Sequence, residues 1–149
     1  MPTEPAPVLV LDTNVVLDWL VFANPQIRAL GDAVAARRVR WVATAEMGAE
    51  LQHVIARGRL ARWQPDLATL NDAWARHCEL VPAPTAPLAR PRCSDADDQK
   101  FIDLAVARAA RWLVTRDRAL LKLARRLREA GVLVTTPERW TPQATAASR

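Results

Sequence analysis

The chain has 149 residues, half of them hydrophobic, which excludes an intrinsically disordered protein and allows one domain with its own core. No apolar run reaches the roughly 18–20 residues that span a bilayer, and the first residues lack the features of a secretory signal, so we expect a cytoplasmic protein with no membrane partner. Two cysteines are too few for a disulfide framework or a thiolate zinc site, and the two histidines have no metal-ligand spacing.

The net charge of +5 is unevenly distributed along the chain. Residues 100–149 include eleven basic and four acidic residues, a net charge of +7, whereas residues 1–99 have ten basic and twelve acidic residues, a net charge of −2. A basic region beside an acid-bearing one is typical of proteins that hold a polyanion near a bound cation. An Arg-rich composition in which the arginines are only solvated would give the same numbers of charged residues. The charge therefore favours a nucleic-acid partner without requiring one.

The hydrophobic pattern of the first half predicts strands that alternate with helices. Val8–Leu11 is an uninterrupted apolar run that stops at Asp12, as expected for a strand buried on both faces of a parallel sheet. The elements predicted in this half are a strand over Val8–Leu11, helices over residues 14–22 and 25–37, a strand over Arg40–Ala43, a helix over residues 44–57 that Thr44 caps and Gly58 closes, and a helix after Pro65.

The second half continues the alternation after a proline-rich loop. Residues 82–91 contain four prolines, which exclude a helix and disrupt a strand ladder. The pattern as a whole predicts an α/β sandwich with a mostly parallel sheet, in one domain over residues 1–140 with a loose tail over residues 141–149. The remaining elements are a strand over residues 79–81, a helix after Asp98 with the apolar face Phe101, Leu104, Ala105 and Ala109, a strand over residues 111–115, a basic helix over residues 118–129 ended by Gly131, a strand over residues 132–134 and a turn over residues 136–140.

Four acidic residues from separate segments are the candidates for chemistry. Asp12 and Asp117 directly follow predicted strands. Asp98 stands where a helix begins, and Glu50 lies in the first turns of another helix. Because open α/β sheets bind ligands at the carboxyl ends of their strands, we expect these side chains to converge. Clustered carboxylates repel one another unless a hard divalent cation such as Mg²⁺ binds them, and such a cation supports phosphodiester hydrolysis.

Each of these acids also has a purely structural interpretation. Asp12 fits a turn at the end of a strand, and Asp98 and Asp117 fit helix caps. Glu50 shares one helix face with Glu46, as exposed acids often do. The joint arrangement of the four acids, rather than any one of them, is what predicts a catalytic site.

The segments that contain these acids resemble the motifs of the PIN-domain ribonuclease family, and most closely its bacterial members that are toxin components of toxin–antitoxin systems. The resemblance extends from about Val8 to Trp140, in the order and spacing of the family. The matching segments are residues 11–15 (LDTNV), 44–51 (TAEMGAEL), 93–105 (CSDADDQKFIDLA), 112–117 (WLVTRD) with Leu120 and Leu121, and 136–140 (TPERW).

The resemblance implies a three-layer α/β/α sandwich of the PIN type and a metal-dependent endoribonuclease that uses Mg²⁺ or Mn²⁺. It also implies RNA as the substrate, a cognate antitoxin protein of a type II pair, and a homodimer. The acidic positions of the family, expected to act as catalytic groups and metal ligands, fall on Asp12, Glu50, Asp98 and Asp117. The polar residues expected to support them are Asn14, Asp95 and Thr115, and the expected contacts to the RNA backbone are Arg116, Arg118, Lys122, Arg125 and Arg126.

Other protein classes with a similar pattern fit less well. A haloacid-dehalogenase-type phosphatase needs a second acid where this chain has Asn14, and a receiver domain needs an acidic pair and a strand-end lysine. A dinucleotide-binding fold needs a glycine motif that is absent, and a metal-free ribonuclease would need His53 and His77 together. A housekeeping RNA-processing nuclease and a non-catalytic PIN-fold platform for RNA or protein stay open as alternatives.

Overall fold

The computed structural model describes residues 6–57, 66–85 and 91–146. The predicted helix end at Gly58, Pro65 and the second half of the proline-rich loop lie outside the described residues.

Five short strands of the described chain lie parallel in one sheet, so all of them end at the same edge. They are β1 (Val8–Leu11), β2 (Arg40–Ala43), β3 (Cys78–Leu80), β4 (Trp112–Val114) and β5 (Leu133–Thr135). The order across the sheet is β3-β2-β1-β4-β5, which places β1 at the centre between β2 and β4. The prediction of a parallel sheet is confirmed, with β3 and β5 each shifted by one residue from the predicted positions.

Helices connect these strands and cover both faces of the sheet. They are α1 (Thr13–Leu20), α2 (Arg28–Ala35), α3 (Ala45–Ala56), α4 (Leu67–His77), α5 (Gln99–Ala107), α6 (Arg118–Leu121) and α7 (Ala124–Glu129). Single 3-10 turns occupy Pro25–Ile27, Ala96–Asp98 and Pro137–Arg139. No helix in the described ranges is both long and apolar enough to cross a membrane.

Side chains of β1 alternate between two hydrophobic cores, one on each face of the sheet. Leu9 and Leu11 pack into one cluster with buried residues of α1, α2 and α3. Val10 packs into the other cluster, which contains Phe101 and Ile102 of α5. Because every second residue of a strand faces the same side, a strand buried on both faces is continuously apolar, as Val8–Leu11 is. This arrangement confirms the three-layer α/β/α sandwich.

The helix predicted over residues 25–37 is wrong in extent, because Pro25–Ile27 is a 3-10 turn and α2 ends at Ala35. Two later helices also differ from their predicted extents. Ala109 does not continue the apolar face of α5, because the helix ends at Ala107 and Ala109 is exposed with φ of 51°. The N–H groups of Ala109 and Ala110 donate to the carbonyls of Val106 and Ala105, which closes the helix as a left-handed C-terminal turn does. The basic segment 118–129 forms the two helices α6 and α7, interrupted at residues 122–123.

The segment after Trp140 returns to the sheet. The indole N–H of Trp112 in β4 donates to the carbonyl of Ala144 at 2.6 Å. Residues 147–149 lie outside the described ranges. The division into a domain over residues 1–140 and a tail over residues 141–149 stays a prediction.

Candidate active site

Asp12 lies directly after the central strand and is only 4% exposed. Its Oδ1 accepts a hydrogen bond from the backbone N–H of Asn14 at 3.4 Å and so caps α1, while its Oδ2 accepts from Thr115 Oγ1 at 2.7 Å. Burial raises the pKa of Asp12, the hydrogen bond from Thr115 lowers it, and the charges of Asp117 and Glu50 raise it. Asp12 is therefore within electrostatic reach of two other candidate acids.

Thr115 connects Asp12 to Asp117 at the end of the neighbouring strand β4. The buried Thr115 hydroxyl donates to Asp12 and accepts from the backbone N–H of Asp117 at 2.9 Å. Asp117 Oδ1 accepts from the N–H of Ala119 at 2.8 Å and caps α6. Because β1 and β4 are adjacent, one threonine sets the spacing of the two acids.

Among the acids of the site, Asp98 has the pKa that is shifted most from its ordinary value. It is 8% exposed, and its buried Oδ2 has no hydrogen-bond partner among the described residues. Burial raises the pKa of Asp98 to about 7, and a hydrogen bond to Asp117 and the charges of Asp117, Asp12 and Asp95 act in the same direction. One carboxylate oxygen each from Asp95, Asp98 and Asp117 lie within 4.8 Å of one another.

Glu50 approaches the cluster from the second turn of α3. Its charge contributes to raising the pKa of Asp12, so its carboxylate also lies within electrostatic reach of that residue. Glu50 Oε2 lies 2.7 Å from Nζ of Lys100 on the first turn of α5. Lys100 was not among the predicted site residues, because a pairing between α3 and α5 leaves no local signal in the sequence.

The composition of this cluster fits a hard divalent cation. Mg²⁺ and Mn²⁺ prefer oxygen ligands, and carboxylates are the usual ones. The acids Asp95, Asp98 and Asp117 present oxygens close enough to share one ion, and the unpartnered Oδ2 of Asp98 is an acceptor that an ion would satisfy. Burial and the repulsion from the neighbouring acids raise the pKa of Asp98 and so favour its protonated form, whereas a bound cation would favour the ionised form.

The structural interpretations of these acids hold for some of them and not for others. Asp12 and Asp117 do cap helices, and Asp95 caps the 3-10 turn by accepting from the N–H of Asp97 at 3.0 Å. Asp98 precedes α5 but makes no side-chain capping bond. Asn14 contacts Asp12 through its backbone N–H, and its side chain is exposed. Among the aspartates of the site, Asp98 is therefore the one that helix capping does not explain.

The basic residues predicted to contact RNA fall into two groups. Arg116 is bonded within the protein, since its Nη1 lies 3.3 Å from Asp18 Oδ2 and its Nη2 donates to Gln26 Oε1 at 3.2 Å. Its Nη2 also lies 3.7 Å from Glu138 Oε1. The other residues are exposed on and between α6, which begins directly after Asp117, and α7; they are Arg118, Lys122, Arg125 and Arg126.

The comparison with known families decides what kind of domain this is. A family described as PIN domain matches residues 8–119, the range that contains Asp12, Glu50, Asp98 and Asp117. The chain belongs to the PIN-domain family. Membership indicates a nuclease with RNA as its substrate, and the acidic cluster of this PIN domain is compatible with metal binding. A search of curated proteins found no match to the chain.

Replacing Thr115 by valine, which has a similar shape without the hydroxyl, tests how the acids of this PIN domain are held. We expect the free energy of unfolding to fall by about 1–3 kcal/mol at neutral pH, because the buried Asp12 carboxylate loses its short hydrogen bond. Urea denaturation of Thr115→Val and Thr115→Ser measures this, since serine keeps the hydroxyl. Equal losses in the two variants would show that the hydroxyl is not what stabilises the site.

Proposed function

We propose that this PIN domain is an endoribonuclease that hydrolyses RNA phosphodiester bonds with Mg²⁺ or Mn²⁺ as its cofactor. The observation that carries the proposal is the group of three carboxylate oxygens within 4.8 Å of one another at the carboxyl edge of the sheet, one of them from a nearly buried aspartate. The family match over residues 8–119 supports the same reaction class.

The proposed ligands of the cation are Asp95, Asp98 and Asp117, with Asp12 beside them. When bound, a divalent cation supplies positive charge to the scissile phosphate and the departing ribose oxygen. Thr115 keeps Asp12 oriented through its 2.7 Å hydrogen bond. Glu50 is the proposed group that orients the attacking water and accepts its proton. By the resemblance to the family, the products carry 5′-phosphate and 3′-hydroxyl ends.

Cleavage of a defined single-stranded RNA by the purified chain tests this proposal. The reaction is run with Mg²⁺, with Mn²⁺ and with EDTA, and the new ends are sequenced. We expect cleavage only when a cation is present and 5′-phosphate ends on the downstream fragments. Cleavage that persists in EDTA and leaves 2′,3′-cyclic phosphates would contradict the proposal and favour a histidine-based mechanism.

The exposed basic residues of α6 and α7 are the proposed contacts to the RNA backbone. Replacing Arg125 and Arg126 together by alanine should weaken RNA binding in EDTA and reduce the slope of log Kd against log salt by roughly 1–2, because each phosphate contact on a single strand contributes about 0.7. The matched control replaces the exposed Arg28 and Arg38, which changes the net charge equally. The same reduction in both double variants would indicate a general charge effect instead of a binding surface.

We also propose that the nuclease is the toxin of a type II toxin–antitoxin pair, with an antitoxin protein as its partner and a homodimer as its state. The support is the resemblance of residues 93–105 and 136–140 to the bacterial toxin subfamily. Induced expression should arrest growth, and co-expression of a small adjacent gene should restore it. Normal growth under induction, together with specific precursor RNAs that accumulate when the gene is deleted, would favour a housekeeping nuclease.

A further inference from the structure

Lys100 is a cation held inside the acidic site by three contacts. Its Nζ lies 2.7 Å from Glu50 Oε2, contacts the backbone carbonyl of Asp97 and lies 4.9 Å from the centre of the Phe101 ring. Its side chain is only 18% exposed, whereas lysine side chains usually extend into solvent. An ammonium group this restricted has a defined position between α3 and the turn that carries Asp98.

The contacts of Glu50 differ from those of the other acids in the site. Asp95, Asp98 and Asp117 lie close enough together to share one ion, and Glu50 is not part of that group. Its carboxylate is paired with Lys100, yet it is close enough to Asp12 to affect the pKa of that residue. The site therefore has two concentrations of negative charge: the group of three aspartates, and the Glu50 carboxylate, whose counter-ion is Lys100.

We infer that Lys100 takes the place of a second divalent cation, so that this PIN domain binds one metal ion and uses the lysine ammonium to neutralise and position Glu50. The inference rests on the proposed function and specifies its metal stoichiometry. Two-metal nucleases hold their ions about 3.5–4 Å apart between shared carboxylates. A lysine already paired with one of these carboxylates disfavours a second ion there, because the two cations repel each other.

The number of Mn²⁺ ions bound per chain, measured by electron paramagnetic resonance on the full chain, tests this inference. We expect one ion in the wild type and one in Lys100→Arg, which keeps the positive charge. Lys100→Met should bind a second, weaker ion, and the added change Glu50→Gln should remove it again. Arg38→Met is the matched control, because Arg38 is exposed and precedes β2, at the edge of the sheet opposite the carboxyl ends of the strands. It should bind one ion.

The outcomes separate this inference from the proposed function. Two ions in the wild type, or a single ion in a folded Lys100→Met, would overturn the role of Lys100 while leaving a metal-dependent nuclease in place. No Mn²⁺ binding by the wild type would instead overturn the proposed function itself. The wild-type and Lys100→Arg counts test the inference even if the methionine variant does not fold.

Discussion

Asp98→Asn should abolish the cation-dependent cleavage of RNA, with a fall in rate on the order of 10³-fold. Asparagine keeps the shape of the side chain but removes the charge from the middle of the acidic cluster, where Asp98 interacts with Asp117, Asp12 and Asp95. The binding of Mn²⁺ should be lost together with the activity, because two of the three clustered oxygens are too few for a tight site. Cleavage rates and Mn²⁺ titration measure the two effects separately.

Asp97→Asn is the matched control for this variant. Asp97 lies in the same 3-10 turn, so the change has the same chemistry and alters the net charge equally, but its side chain is exposed. We expect a cleavage rate within about threefold of the wild type, as for a surface substitution. Comparable losses in both variants would show that the turn, rather than the carboxylate of Asp98, is what the reaction needs.

Stability distinguishes a chemical loss in Asp98→Asn from a folding defect. The raised pKa of Asp98 means that its ionised form is less favourable in the folded protein than in the unfolded one. The metal-free variant should therefore be at least as stable as the wild type above neutral pH. A lower melting temperature for Asp98→Asn than for the wild type at about pH 8 would mean that the activity is lost through a folding defect.

The sequence predicts the positions of three of the acids, because each of them follows a strand or precedes a helix that the hydrophobic pattern reveals. Asp12 follows a strand that is apolar throughout, and Asp117 follows another, so the rule that parallel strands present ligands at their carboxyl ends applies directly. Asp98 follows two acids that open a helix. Because parallel strands all end at one edge of the sheet, the alternation of strands and helices already predicts that these segments meet there.

The features that the sequence did not predict depend on contacts between distant segments or on unusual helix ends. Gly131, with φ of 84°, marks the end of α7 in the sequence, but α5 ends with the same type of turn at Ala109, where no glycine marks it. Arg116 was predicted to contact RNA because it is basic and follows a strand. Its partners Asp18 and Gln26 belong to the first quarter of the chain, so only the folded structure reveals them.

Asp98 should also make the metal-free protein less stable as the pH rises. Its folded-state pKa of about 7 lies above its ordinary value of 3.8, so the folded protein binds this proton more tightly than the unfolded chain does. The folded protein therefore loses stability as the pH rises from about 4 to about 7. Between about pH 5.5 and 8, the free energy of unfolding should fall by roughly 2 kcal/mol relative to Asp98→Asn. The comparison with the variant cancels the contribution of His77, whose lowered pKa acts in the opposite direction in this window.

Mn²⁺ should reverse this dependence, because the cation and the proton compete for the same carboxylate. The rise in melting temperature on adding Mn²⁺ should be larger at about pH 8 than at about pH 5.5 in the wild type, and small at both values in Asp98→Asn. Urea denaturation in EDTA measures the pH dependence of the metal-free protein, and thermal denaturation with Mn²⁺ measures the stabilisation by the cation. If the wild type and Asp98→Asn share one pH profile in EDTA, the Asp98 carboxylate does not take up its proton near neutral pH. If Mn²⁺ then stabilises both proteins equally, it binds elsewhere, because the ion at the proposed site can be held only by the ionised acid.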